Sequence, residues 1–142
     1  MRVLLIEDND GDIALIRQGF AASSWPVDLH VIQDGAEALD FLFRRAPHTQ
    51  APTPDLILLD LQLPKKTGFE ILEVLEQDAD LKFLPVVVFT GANNKASVNR
   101  CYELGANAYV VKPSDPVQYL AFVQAIIEFW NGCQFRELSD KK

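Results

Sequence analysis

Short apolar runs alternate along the chain with longer segments whose apolar residues recur every three or four positions. The runs are rich in valine, leucine and isoleucine and cover residues 3–6, 27–32, 56–59, 86–89 and 108–111. This alternation is typical of an α/β domain with a parallel sheet. Three of the runs are continuous rather than alternating, which predicts central strands covered on both faces.

Helical spacing between and after the runs predicts five helices. The first four carry apolar residues at Ile13, Ile16 and Phe20, at Leu39 and Leu42, at Gly68, Ile71, Leu72 and Leu75, and at Val98, Cys101 and Tyr102. Asn93 is a predicted helix cap, and Gly105 stands where a helix end needs a left-handed residue. Residues 44–54 contain three prolines and no period, which predicts a surface loop.

The fifth helix, predicted over residues 115–130, has a wide apolar face. Two sets of apolar residues lie on adjacent sides, and together they span roughly half of the circumference. One set is Leu120, Val123, Ile127 and Trp130, and the other is Tyr119, Phe122, Ile126 and Phe129. Either a further surface covers part of this face, or the large aromatic rings lie flat on the domain itself.

Length and charge narrow the classes of function. The chain has 142 residues, with 20 acidic and 13 basic side chains and a net charge of −7. That length suits one domain, and the negative charge disfavours nucleic-acid binding. The two cysteines, Cys101 and Cys133, lack metal-ligand spacing and are typical of reduced thiols in a cytoplasmic protein. The first apolar run is too short for a signal peptide or a membrane span.

Polar residues follow four of the predicted strands at the point where each strand ends. They are Glu7 and Asp8, then Asp60, then Thr90, then Lys112. Ligands of doubly wound sheets bind at the carboxyl ends of the strands, so these residues should converge.

Each of these residues alone has an ordinary explanation as a turn cap or a solvated charge. Together they predict phosphate chemistry. Three close carboxylates need a compensating cation or proton, and oxygen ligands of this kind suit Mg²⁺. Lys112 would supply positive charge on the opposite side, and Asp60 could act as a nucleophile that forms an acyl phosphate.

Several segments resemble, in order and spacing, the response regulator receiver domains of two-component systems. They are LLIED at residues 4–8, DLQLP at 60–64 followed by Gly68, VFTGA at 88–92, and GANAYVVKP at 105–113. The resemblance covers residues 2–130 and implies a flavodoxin-like fold. That fold is a doubly wound, three-layer α/β/α domain with a five-stranded parallel sheet in the order 2-1-3-4-5 and five helices.

The resemblance also implies the roles of the acidic residues. Asp60 would be the phosphoacceptor for a sensor histidine kinase. Mg²⁺, with Mn²⁺ as an alternative, would be bound directly by Asp8, Asp60 and the backbone carbonyl of Gln62, and through water by Glu7.

Further roles follow from the same resemblance. Thr90 would be the switch hydroxyl, and Tyr109 the aromatic that turns into the space that Thr90 vacates. Gly91 would leave room for a phosphoryl oxygen and offer its N–H, while Lys112 would pair with the phosphoryl group. The peptide bond before Pro113 would be cis and would fix the loop that carries the lysine.

Residues 131–142 are too few for an effector module, so we expect a stand-alone receiver over residues 1–130 with a tail. Residues 63–68, the proline-bearing loop and the aromatic end of the fifth helix resemble the single-domain regulators of bacterial and cyanobacterial phytochrome kinases. The implied partners are the kinase, a downstream phosphotransfer or effector protein, and a second copy of the chain. The implied dimer contact combines helix 4, strand 5, helix 5 and the tail.

Three other functions fit the sequence less well. A small-molecule phosphatase with an aspartate nucleophile would need a second aspartate two residues later as general acid, where this chain has Gln62. A degenerate receiver that only binds partners would lack one of the five strand-end residues, and all are present. A flavodoxin-like cofactor binder would need a Ser/Thr/Gly-rich phosphate loop after the first strand, where residues 7–10 are EDND.

Overall fold

All five predicted strands pair side by side in one parallel sheet. The computed structural model describes residues 1–133, so the predicted tail lies outside the described residues from position 134 onward. The strands are β1 (Arg2–Ile6), β2 (Asp28–Ile32), β3 (Leu56–Leu59), β4 (Val86–Thr90) and β5 (Ala108–Val111). Their order in the sheet is β2-β1-β3-β4-β5, as expected for a flavodoxin-like fold. The three central strands, β1, β3 and β4, are the most completely buried ones.

Five helices connect and follow the strands. They are α1 (Asp10–Ala21), α2 (Gly35–Leu42), α3 (Gly68–Gln77), α4 (Lys95–Glu103) and α5 (Pro116–Asn131), and a short 3-10 helix covers Leu81–Phe83. A side chain caps the N-terminus of each α-helix by accepting a backbone N–H three residues ahead. These caps are Asn9, Asp34, Thr67, Asn94 and Asp115.

Two details concern the predicted ends of α4. The cap is Asn94 rather than Asn93, because the Asn94 side chain accepts the N–H of Ser97 and closes the first turn. Beyond the other end, Gly105 has a φ of +94°, which confirms the predicted left-handed residue.

The sheet divides the core into two layers. Alternate strand residues such as Leu4, Ile57 and Val86 pack against α2, α3 and α4. The intervening residues, such as Leu5 and Leu58, pack against α1 and α5. This confirms the predicted three-layer α/β/α architecture. Within residues 1–133, no helix combines the length and the apolar character needed to cross a membrane.

The wide face of α5 is only partly used by the core. Val123 and Ile127 are fully buried, whereas Phe122 is 43 % and Phe129 65 % exposed. A large part of these two aromatic side chains therefore lies outside the core.

Helices α1 and α5 approach each other closely at Gly19. A Cβ atom at this position would lie 2.6 Å from Cγ1 and 3.0 Å from Cβ of Val123, whose side chain is fully buried. The missing side chain of Gly19 thus sets the distance between the two helices.

We predict that Gly19→Ala lowers the free energy of unfolding by about 1–2 kcal/mol, because overpacking exceeds the gain in helix propensity. Urea unfolding followed by circular dichroism would measure the change. Gly11→Ala is the matched control, since this exposed position in the same helix has its nearest contact at 3.2 Å. Equal stabilities of the two variants would contradict the prediction.

Candidate functional site

The predicted strand-end residues meet at the carboxyl edge of the sheet. Glu7 and Asp8 follow β1, Asp60 follows β3, Thr90 ends β4 and Lys112 follows β5. All but Glu7 line a single cleft of about 430 Å³, together with Asn9, Asp12, Gln62, Gly91 and Ala92. Glu7 lies beneath the cleft and is 1 % exposed. The predicted convergence is therefore found in the structure.

Glu7, Asp8 and Asp60 form a compact cluster of carboxylates. One oxygen from each can be chosen so that all three lie within 4.8 Å of one another. Asp8 is exposed, whereas Asp60 is buried and its Oδ1 accepts the backbone N–H of Leu61 at 2.8 Å. Such crowding concentrates negative charge where little water can screen it.

Burial raises the pKa of Glu7 to about 7, and the nearby charge of Asp60 acts in the same direction. The hydrogen bond from Lys112 opposes this shift but does not cancel it. The carboxyl group of Glu7 is thus poised to exchange its proton for a cation near neutral pH.

The ammonium group of Lys112 contacts three carboxylates. Its Nζ lies 2.6 Å from Oε1 of Glu7, 3.3 Å from Oδ2 of Asp60 and 3.2 Å from Oδ2 of Asp12. Burial alone would lower the pKa of Lys112, but the hydrogen bond to Glu7 and the surrounding negative charges outweigh burial and raise it. Lys112 is therefore held in its charged form.

Asp12 was not singled out in the sequence. It lies in the first turn of α1, one turn before the buried Ile16. This spacing places Asp12 on the inward face of the helix, which is the feature of the sequence that could have identified it. Its Oδ1 accepts a hydrogen bond from the hydroxyl group of Tyr119 in α5 at 2.7 Å. Asp12 thus joins the site to a helix on which no site residue was predicted.

Thr90 and Tyr109 meet at the backbone of Ala92. Thr90 is buried, and its Oγ1 accepts the N–H of Ala92 at 3.4 Å. The hydroxyl group of Tyr109 donates to the carbonyl oxygen of Ala92 at 2.7 Å, and burial raises the pKa of this tyrosine. Gly91 lies between them, and a Cβ there would meet no atom within 4 Å, so the space beside it is open.

The expectation of a cis peptide bond before Pro113 is wrong for this structure. Within residues 1–133, the cis peptide bond is Ala46–Pro47. The trans form is favoured by about 0.5–1 kcal/mol for bonds to proline. The backbone N–H of Lys112 already binds the carbonyl oxygen of Thr90 at 2.8 Å, so the lysine is positioned without a cis bond.

The residues of the cleft fit a hard divalent cation. Among residues 1–133, Glu7, Asp8, Asp12 and Asp60 bring four carboxylates against the ammonium of Lys112. An all-oxygen donor set with excess negative charge suits Mg²⁺ or Mn²⁺.

Comparisons with known proteins agree with this geometry. The "Response regulator receiver domain" family matches residues 3–124. The response regulator Rcp1 of Synechocystis sp. is 39 % identical over 128 residues, which are 90 % of this chain and 87 % of Rcp1.

Two solved structures are also similar to this chain. The Mn²⁺-bound form of Rcp1 has a TM-score of 0.92 and 36 % identity, over 96 % of this chain and 99 % of that one. The phosphorylated cyanobacterial phytochrome response regulator RcpA has a TM-score of 0.92 and 37 % identity, over 96 % and 98 % of the two chains.

We predict that Lys112→Met lowers the free energy of unfolding by about 3 kcal/mol in metal-free buffer above the pKa of Glu7, because a buried carboxylate loses its cation. Urea unfolding would measure this loss, and added Mg²⁺ should restore part of it. Lys112→Arg, which keeps the charge, should lose less. A Lys112→Met variant as stable as the unmodified chain would contradict the role of Lys112 as the cation that pairs with the buried carboxylate of Glu7.

Proposed function

The chain belongs to the response regulator receiver domain family, and we propose that it accepts a phosphoryl group on Asp60 from a sensor histidine kinase. The observation that carries the proposal is the position of Asp60, whose carboxylate lies in the cleft 3.3 Å from the ammonium group of Lys112. The matched relatives include a phosphorylated phytochrome response regulator, which supports a phytochrome-type kinase as the phosphodonor.

Asp60 is the group that attacks the incoming phosphorus atom. One of its carboxylate oxygens forms the new P–O bond, while the bond from phosphorus to the donor breaks and the donor leaves with that electron pair. Its Oδ1 accepts the N–H of Leu61 and its Oδ2 accepts from Nζ of Lys112, so the carboxylate is held in place beside the ammonium group. Lys112 then pairs with the oxygens of the transferred group.

Besides Lys112, a divalent cation bound by the carboxylates would supply positive charge. Asp8, Asp60 and the carbonyl oxygen of Gln62 would bind it directly, and Glu7 through water. When bound, Mg²⁺ or Mn²⁺ offsets the charge of the phosphoryl oxygens. The Mn²⁺-bound form of Rcp1 and the charge excess of the cleft support this assignment.

Phosphorylation acts on Thr90 and Tyr109 through hydrogen bonds. The hydroxyl group of Thr90 turns to donate to a phosphoryl oxygen, and the N–H of Gly91 donates to the same group. Thr90 then stops accepting the N–H of Ala92, and Tyr109 turns inward from the carbonyl oxygen of Ala92. The signal is a changed surface on α4, β5 and α5, which a downstream phosphotransfer or effector protein reads.

The same surface provides a contact between two copies of the chain. Phe122, Phe129 and Val117 of α5 are 43 %, 65 % and 74 % exposed, and Tyr102 of α4 is 48 % exposed. Phe122 and Phe129 lie seven positions apart and therefore on the same side of α5. Exposed large apolar side chains on one side of a helix are typical of an interface. We therefore place a homodimer contact on α4, β5 and α5. The predicted arm, residues 131–142, lies outside the described residues from position 134 onward.

In this function the chain is a signalling protein rather than an enzyme that turns over small molecules. Gln62 lies in the cleft where a phosphatase of the aspartate-nucleophile class has its acid. An amide cannot donate a proton to a leaving group in the way a carboxylic acid does. All five groups needed for phosphorylation are present, so a degenerate receiver is the weaker alternative.

Acetyl phosphate with Mg²⁺ should add one phosphoryl group to the purified protein, since a small donor can replace the kinase. Intact-mass spectrometry would measure the gain. The gain should disappear in Asp60→Asn and when Mg²⁺ is removed by a chelator. A gain of equal size in Asp60→Asn, or none from either acetyl phosphate or a phosphorylated kinase, would refute the proposal.

Phe122→Asp should convert a dimer into a monomer, because a buried carboxylate at the contact has no partner. Light scattering coupled to size-exclusion chromatography would measure the mass, with and without phosphorylation. Ala14→Asp is the control, since it adds the same charge at an exposed position on α1. The dimer is refuted if the unmodified chain is monomeric in both states.

A further inference from the structure

One contact in the site has no role in the proposed phosphotransfer. Lys112 has three N–H donors, and two of them are directed to Glu7 and Asp60, which belong to the phosphoryl and cation site. Its Nζ also forms an ion pair with Asp12, whose Oδ2 lies 3.2 Å away. Asp12 is thus an additional anion beside the ammonium group of Lys112, the group with which the phosphoryl oxygens would pair.

Helix stabilisation does not account for the position of the Asp12 side chain. Acidic residues in the first turn of a helix favour its dipole, and both Asp10 and Asp12 stand in that turn. The Asp10 side chain is exposed and accepts from Nε2 of Gln33. The Asp12 side chain is turned inward, is only 21 % exposed, and uses one oxygen for Lys112 and the other for Tyr119.

Tyr119 holds Asp12 from a fixed position. Its side chain is 3 % exposed, and its ring packs edge-on against Phe89 with the centroids 5.2 Å apart. One helical turn further along α5, Val123 packs against Gly19 of α1, so the two helices cannot easily slide past each other. A buried tyrosine hydroxyl needs a partner, and here its partner is a site carboxylate.

We propose that Asp12 is a positioning residue for Lys112, anchored from α5 by Tyr119, and that it competes with the phosphoryl group on Asp60 for the ammonium. This inference rests on the proposed function of Asp60. A phosphoryl group brings up to two negative charges to the site, but it must draw Lys112 away from a carboxylate that Tyr119 holds in place. The strength of phosphoryl binding is therefore tuned by a residue of α5 that lies outside the cleft.

Beryllofluoride is the probe for the test, because a carboxylate oxygen of Asp60 can coordinate its beryllium reversibly while the fluorides take the place of phosphoryl oxygens. Binding would be measured by ¹⁹F NMR at saturating Mg²⁺. Asp12→Asn should strengthen binding by about three- to tenfold, since a competing ion pair is removed. Tyr119→Phe should strengthen it less, because the unanchored carboxylate can turn to water.

Two comparisons separate positioning from a general effect of charge or folding. Asp10→Asn, the same change in the same helical turn, should leave the affinity within about twofold. Tyr119→Phe should add nothing in the Asp12→Asn background, and Asp12→Asn should add nothing in the Lys112→Met background. Equal effects of Asp10→Asn and Asp12→Asn, or additive effects in either double variant, would overturn the inference.

A second measurement distinguishes failure of this inference from failure of the proposed function. In the unliganded protein, the ammonium protons of Lys112 should exchange faster with water in Asp12→Asn than in Asp10→Asn, as seen in ¹H–¹⁵N spectra of the lysine side chains. Unchanged exchange would refute the positioning by Asp12 even where beryllofluoride binds. Absent beryllofluoride binding to the unmodified chain would count against the role of Asp60 and against the competition, while the exchange measurement would still decide the positioning.

Discussion

The ammonium group of Lys112 holds together carboxylates that would otherwise repel one another at the edge of the sheet. Glu7 is almost completely buried, and its nearest cation is this lysine at 2.6 Å. A buried charge of this kind is tolerated only with a partner of opposite sign. The order of the strands makes the pairing achievable, since β1 and β3 are neighbours and only β4 separates β3 from β5. The lysine therefore belongs to both the stability and the chemistry of the site.

The distribution of charge also bears on the proposed phosphorylation of Asp60. Four carboxylates and one lysine leave an excess of negative charge, which a divalent cation reduces. A transferred phosphoryl group changes this balance by a whole charge or more, in a place where little water can screen the change. In the proposed switch, Thr90 and Lys112 are the groups of the cleft that respond to this change.

Much of the fold can be predicted from the sequence, because the burial of apolar residues determines which segments form the central strands. The continuous apolar runs marked the central strands correctly, and the polar residues at their ends identified the edge where they meet. Local features were less certain, since adjacent asparagines at 93 and 94 can both cap a helix and only hydrogen-bond geometry selects Asn94. The roles of Asp12 and Tyr119 could not be read, because the contact joins residues 107 positions apart through the packing of two helices. The isomer of the peptide bond before Pro113 could not be predicted from the sequence either, since it depends on the surrounding loop.

The contact between Lys112 and Glu7 joins groups 105 positions apart along the chain, near the two ends of the described domain. No fragment that ends before β5 can contain both groups, so the charge balance of the cleft exists only after the last strand has entered the sheet. During synthesis on the ribosome, a chain that has emerged only as far as β4 carries the acidic residues without their lysine. The charged cleft is therefore assembled late, when only α5 remains to be added to the fold.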